Sequence, residues 1–221
     1  MSVFLVIAVS LLLLLAGYGY LCALFAGNEG KLPDPKSLKP SRNKILYLVC
    51  AILISASLYY VLGVLYHQTT MSLIKAECLL LVIAPAAAVD FRFERIPNLL
   101  ILTGISLRAV LLIAEGFSEP AQILGILKDA LIGALVIGLF FGVIGVVFKG
   151  SIGMGDLKLF IVMGLFQGLW GAVTSVFFSL AVSFVAAILL LISRRKKRSD
   201  SIPFGPCILI GTWVAVLLTG M

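Results

Sequence analysis

The sequence predicts an all-α fold: a polytopic transmembrane helix bundle of about eight spans with its N-terminus outside. Three observations predict it. Of 221 residues, 62 % are apolar and only 12 % charged, and the mean hydropathy is +1.18. That leaves too little polar surface to coat a soluble globule, which excludes disorder, a disulfide scaffold and an ordinary cytosolic enzyme. The apolar residues also gather into runs near the roughly 20 residues that cross a bilayer. Finally, the cations collect in alternate connections between those runs.

The runs read as 3–26, 45–66, 71–89, 99–114, 130–148, 157–170, 172–192 and 207–219. The first has no Lys or Arg ahead of it and is 24 residues long, which suits an uncleaved span better than a signal peptide. The third is weakened by Lys75 and Glu77, and the sixth and eighth are short. Residues 157–192 are almost continuously apolar. As one helix they would measure about 54 Å against a hydrocarbon core of about 30 Å, so a turn is expected near Gln167–Gly171. Eight spans leave only short connections, so 1–221 is expected to be a single membrane domain.

The cations assign the sides. Lys31, Lys36, Lys39, Arg42 and Lys44 lie in 27–44, and Arg92 and Arg95 in 90–98. Lys149 and Lys158 lie in the stretch around 149–158, and Arg194, Arg195, Lys196, Lys197 and Arg198 follow the seventh run. Fourteen of the seventeen cations therefore fall on one face, which the positive-inside rule makes cytoplasmic. Only Lys75, Arg108 and Lys128 lie elsewhere, so a probe placed after Lys128 is expected to read as external. The formal charge of +7 thus marks topology, and no nucleic-acid partner is expected.

Most of the ten acids sit beside cations and read as solvated helix ends. Two stand apart. Asp90 ends the run LLLVIAPAAAV, Asp156 opens LKLFIVMGLF, and two spans separate them, so they share the cytoplasmic face. Packing of the spans can bring two such carboxyls together. A close pair in a poorly hydrated site cannot ionise both members. One then holds a proton while the other, as carboxylate, takes one from water, an arrangement able to hydrolyse a peptide bond. The plainer alternative is that Asp156 is a helix N-cap and Asp90 a helix end. Gly153 and Gly155 suggest turns closed to other residues and a close approach to a substrate strand. No metal is expected. His67 stands alone in an outer loop, and Cys22, Cys50, Cys78 and Cys207 are widely spaced with no CxxC pair.

The segment DFRFERIPN, from Asp90 through Ile96, Pro97 and Asn98, resembles the D-x5-I-P-N signature of type IV prepilin peptidases. Gly153, Gly155, Asp156 and Lys158 lie in GMGDLKL, which is similar to that family's GxGDxKL. Pro203, Gly205 and Pro206 lie in IPFGP, resembling the element before its last span. All three occur in the family's order, within roughly 45–219. The resemblance implies a GxGD-type intramembrane aspartyl protease of the plasma (inner) membrane, without cofactor, with Asp90 and Asp156 as the catalytic pair. Its substrates would be prepilin-like proteins with a short basic leader, cut at the cytoplasmic face before their hydrophobic helix. Lys158 would tune the local potential or contact lipid headgroups. Pro97 and Asn98 would open the fourth span, with Asn98 as a candidate cap, and Pro203 and Pro206 would border the site.

One departure matters. Many bacterial members carry a cytoplasmic domain with paired CxxC motifs after the first span and N-methylate the new terminus. Here that place holds the basic loop 27–44, 18 residues without cysteine, so a peptidase alone is expected, with the bifunctional enzyme as the alternative. A small transporter would want polar residues along its path, and a silent leader-binding relative would normally have lost an aspartate. The GxxxG spacings Gly138/Gly142 and Gly164/Gly168 suit packing within the chain, or else a homodimer. Arg108 either snorkels outward or pairs with Glu115, seven residues on.

Overall fold

The computed structural model describes residues 49, 52–148, 153–193 and 203–220. The first expected span, the 27–44 loop and the 194–198 cluster lie outside the described residues. The described residues are all-helical and form six helices in order: α1 Ile52–Leu65, α2 Thr70–Phe93, α3 Asn98–Ser118, α4 Ile123–Val147, α5 Met154–Ile192 and α6 Gly205–Thr219. The second half of α1, Tyr59–Leu65, is a π-helix. α2 to α5 are each long and apolar enough to cross a membrane. In hydrocarbon every backbone group must be satisfied within the chain, and that favours helices.

The helices alternate in direction. Gly205 donates to Asp90 at one end of α2, and Tyr66, just before α2, donates to the Leu218 carbonyl at the other, so α2 and α6 are antiparallel. α3 runs parallel to the start of α5, with Lys158 on Asn98 and Arg108 on the Leu165 carbonyl. α4 runs against it: Gly133 lies on Gly164 and Gly168, and Gly138 on Ile161.

α5 is a hairpin of two helical arms that meet at Gly168. Gly168 has φ 68 and ψ −167, a conformation open to glycine, inside an otherwise helical stretch. Met163 meets Thr212, while Ser179 lies against the adjacent Gly211. In a straight helix Met163 and Ser179 would be about 24 Å apart. Both reach neighbouring residues of α6 only because the arms 154–167 and 169–192 fold back on each other. The turn expected near Gln167–Gly171 is therefore present, made by a single residue.

The hairpin's broken ends are satisfied by side chains. Arg108 Nε donates to the Leu165 carbonyl at 2.8 Å, and Leu169 N–H donates to Asp129 Oδ1 at 3.4 Å. Arg108 also pairs with Glu115 at 2.8 Å, and Lys75 approaches Glu115 at 3.9 Å. The Arg108–Glu115 pair, one of the two alternatives for Arg108, is thus formed, so Glu115 is not a solvated end, and Asp129, although exposed, is not at a helix end. Glu115 is buried inside α3, and Asp129 lies within α4. α3 accordingly runs on past the 99–114 run to Ser118, and α4 begins ahead of the 130–148 run at Ile123, with Glu115 and Asp129 each meeting a partner. Lys128, too, is inside α4 rather than in a loop.

Close packing uses small residues, as expected where lipid removes the hydrophobic drive between helices. A Cβ at Gly133 would strike the Gly168 and Gly164 backbones, and one at Gly164 would strike Ala134. Gly164 and Gly168 therefore pack α5 on α4, whereas Gly142 meets nothing within 4 Å. The main core lies between α2, α3, α4, α5 and α6, with Phe141 stacked on Phe160 at 4.5 Å.

Candidate active site

Asp90 sits in the last turn of α2, four residues before Glu94 closes that helix in a left-handed conformation. A carboxylate near a helix C-terminus faces the negative end of the macrodipole. Here the side chain turns onto the start of α6 instead. Its Oδ2 accepts the Gly205 N–H at 2.7 Å, with the Phe204 amide alongside, and the residue is buried. The positive end of α6 thus offsets the unfavourable end of α2.

Asp156 lies in the first turn of α5, where a carboxylate is favoured. It is not the N-cap, a position held by Gly153. Its Oδ1 is buried and has no hydrogen-bond partner among the described residues, and Asp90 is the charged group acting on it. One carboxyl of the pair is thus anchored by a backbone N–H, and the other offers an unengaged oxygen.

The motif glycines act through space, not through unusual backbone angles. Gly153 has φ −65 and ψ 135, open to any residue, and Gly155 is helical, so the expectation of glycine-only turns does not hold. A Cβ on Gly153 would lie 2.8 Å from Asp156 Oδ2, and one on Gly155 would lie 2.9 Å from Ile96 Cβ. A Cβ on Gly205 would meet Asp90 Cβ at 2.8 Å and Ala87 Cα at 3.0 Å. Each missing side chain is the seat of a residue from one of the other motifs or of Asp156 itself.

Pro97, with φ −64, starts α3, as expected. Asn98 is no cap: α3 has no side-chain cap hydrogen bond, and Asn98 Oδ1 accepts from Lys158 Nζ at 2.7 Å. Lys158 therefore engages protein, not lipid, through this contact. Pro206 opens α6, and Pro203 is half-buried just ahead of it. Phe204, given no role by the sequence, packs its ring edge-on to Phe160 at 5.8 Å and so holds the α6 start beside Asp90. Its place between two prolines in IPFGP was the available signal. His67 is exposed in the turn before α2, at the other end of the bundle.

The three sequence elements thus meet at one end of the bundle, and two of them lie within the stretch that resembles a known family. Over 170 residues it is 28 % identical to "Prepilin leader peptidase/N-methyltransferase" of Bacillus subtilis, covering 76 % of this chain and 64 % of that protein. Over 137 residues it is 31 % identical to the protein of the same name from Pseudomonas aeruginosa, covering 58 % of this chain and 44 % of that one. The chain therefore spans under two thirds of the first relative and under half of the second. No solved structure matches it significantly. The family model for the type IV leader peptidase family matches residues 76–192, more than half of the chain and a stretch that contains both Asp90 and Asp156. With the motif geometry and the family model coinciding on these helices, the chain belongs to the type IV leader peptidase family.

Proposed function

We propose that the chain is an intramembrane aspartyl endopeptidase that removes the short basic leader of type IV prepilins or prepilin-like proteins at the cytoplasmic membrane face. The observation that carries this reading is the asymmetry of the pair: Asp90 Oδ2 takes the Gly205 N–H, and Asp156 Oδ1 is buried and unengaged among the described residues. Backbone N–H donors favour a carboxylate, which suits Asp90 to the ionised role and leaves Asp156 to hold the shared proton. Asp90 removes a proton from water as its oxygen attacks the scissile carbonyl carbon. Asp156 delivers its proton to the carbonyl oxygen, giving a neutral tetrahedral gem-diol. Asp90 then passes its proton to the amide nitrogen, the C–N bond breaks, and one hydroxyl proton returns to Asp156. The products are the leader's carboxyl and a new amino terminus.

The substrate side follows from charge. A basic leader stays on the face that holds the protein's own cations, and its scissile bond then lies beside the aspartates. The proposal is a peptidase without methyltransferase, because the loop 27–44 has no cysteine and only 18 residues. The test is cleavage of prepilin leaders by purified protein in lipid, with a methyl donor present and product masses measured. Wild type should cleave and leave an unmethylated terminus, and Asp90→Asn and Asp156→Asn should be inactive. Cleavage at the normal rate by either variant, or none by well-folded wild type across several leaders, overturns the reading. A methylated product restores the bifunctional one.

A further inference from the structure

The contact between Lys158 and Asn98 joins the two aspartate-bearing motifs and has no part in the chemistry proposed above. Asn98 is joined to Asp90 by a short connection. Glu94, at φ 50, donates its N–H to the Asp90 carbonyl at 2.8 Å, and Pro97 then starts α3. Lys158 is two residues beyond Asp156 on one helix, so the two side chains leave it about 200° apart. Asp156 can face the Asp90 side while Lys158 reaches α3.

The geometry singles this contact out. Asn98 stands at the first position of α3, where its oxygen would ordinarily be drawn to backbone amides. That oxygen instead takes the Lys158 ammonium at 2.7 Å, a charge-assisted bond. One turn away, Ile96 sits in the space left by the absent Gly155 side chain, so apolar and polar contacts press the same two helix starts together. A second tie, Arg108 to the Leu165 carbonyl at 2.8 Å, pins α3 to α5 near the other end. The arm that carries Asp156 is held to α3 at both ends.

We propose that Lys158 and Asn98 are positioning residues, a clamp that sets the separation of Asp90 and Asp156 by fixing the start of α5 on the start of α3. The clamp rests on the aspartyl peptidase reading. It makes a demand that a charge effect of Lys158 on Asp156 does not: Asn98, which carries no charge, must matter as much as Lys158.

The experiment compares wild type with Asn98→Leu, Lys158→Met, Asn98→Asp and Lys158→Arg in the full-length protein in lipid. For each, kcat, KM, the pH profile of leader cleavage and the melting temperature are measured. Asn98→Leu and Lys158→Met should each lower kcat about tenfold to a hundredfold with little change in KM, as misplaced reacting groups do. Both should narrow the pH profile equally, because carboxyls held further apart couple less and their two apparent pKa values converge. Asn98→Asp and Lys158→Arg keep a bonded pair and should restore rate and width. An Asn98→Leu protein with the wild-type profile beside a shifted Lys158→Met overturns the clamp in favour of a charge effect. So does a loss that only follows the melting temperature and is not restored by the bonded variants. Asp90→Asn and Asp156→Asn run alongside. If they are inactive and Asn98→Leu is normal, the clamp alone fails. If they cleave, or wild type does not, the peptidase reading fails and takes the clamp with it.

Discussion

The Asp90 carboxylate accepts the Gly205 backbone N–H at 2.7 Å, joining residues 115 apart in sequence and the ends of two antiparallel helices. That contact needs the residue at 205 to have no side chain, since a Cβ there would lie 2.8 Å from Asp90 Cβ and 3.0 Å from Ala87 Cα. Neither atom belongs to a flexible side-chain end, so α6 itself would have to retreat.

Gly205→Ala should therefore cost about 1–3 kcal/mol of stability through overpacking. It should also lower leader cleavage by about tenfold or more as the N–H leaves the carboxylate. Gly142→Ala is the matched control, because nothing lies within 4 Å of the position where its Cβ would stand. Melting in detergent and cleavage rate, measured for both proteins, check the pair of outcomes.

A shared proton has a kinetic signature. In the proposed mechanism the active form has one proton on the pair, so cleavage by wild type should follow a bell in pH. The acid limb falls as both carboxyls protonate, and the alkaline limb falls as both ionise. The two apparent values belong to the pair and not to either residue. Leader cleavage across a pH series, with a leader lacking titratable groups near the scissile bond, checks this. A profile with a single limb would mean that only one carboxyl takes part.

How much of this was legible in the sequence depends on the physics of each feature. The described helices were, because bilayer crossing demands long apolar runs and cannot hide them. The α5 turn was too, because about 54 Å of apolar helix does not fit the hydrocarbon. The ends of α3 and α4 were not. Glu115, Lys128 and Asp129 look like loop residues until Arg108 and the Leu169 N–H are known to meet the acids. The same limit applied at the site. Asp90 and Asp156 stood out as acids at apolar borders, while the work of the motif glycines did not. Their importance lies in which atoms fill the missing Cβ positions, and that is decided by helices distant in sequence. Asn98 misled for the same reason: its local chemistry favours a cap, and a lysine 60 residues later takes its oxygen.

The hairpin of α5 depends on buried charges, and their removal should be asymmetric. Arg108→Leu leaves Glu115 buried beside only the more distant Lys75 and strands the Leu165 carbonyl, so it should destabilise by about 3–5 kcal/mol. Replacing Glu115 with leucine as well removes the unpaired acid and should recover part of that loss. A double-mutant cycle by denaturant unfolding in mixed micelles measures the coupling. Additive losses would mean that the 2.8 Å pair contributes nothing beyond its separate members.

Sidedness gives the last prediction, and the helix boundaries decide where to look. A reporter after Lys128 would interrupt α4 in its second turn and disturb the helix it is meant to report on. The turn between α3 and α4, residues 119–122, is the better site, since Pro120, Ala121 and Gln122 are exposed there and Gln122 precedes the first residue of α4. Lys75, Arg108 and Lys128 lie at this end or approach it, whereas Arg92, Arg95 and Lys158 lie at the aspartate end. By the positive-inside rule, a cysteine placed at Ala121 should react with an impermeant maleimide added outside intact cells. One placed at Met154, which is exposed beside Asp156, should react only after the cells are opened. The measurement needs a background in which Cys22, Cys50, Cys78 and Cys207 are replaced. Labelling at Met154→Cys in intact cells would put the aspartates on the outer face. The positively charged leader would then have to cross the membrane before it could be cut, against the rule that holds it inside.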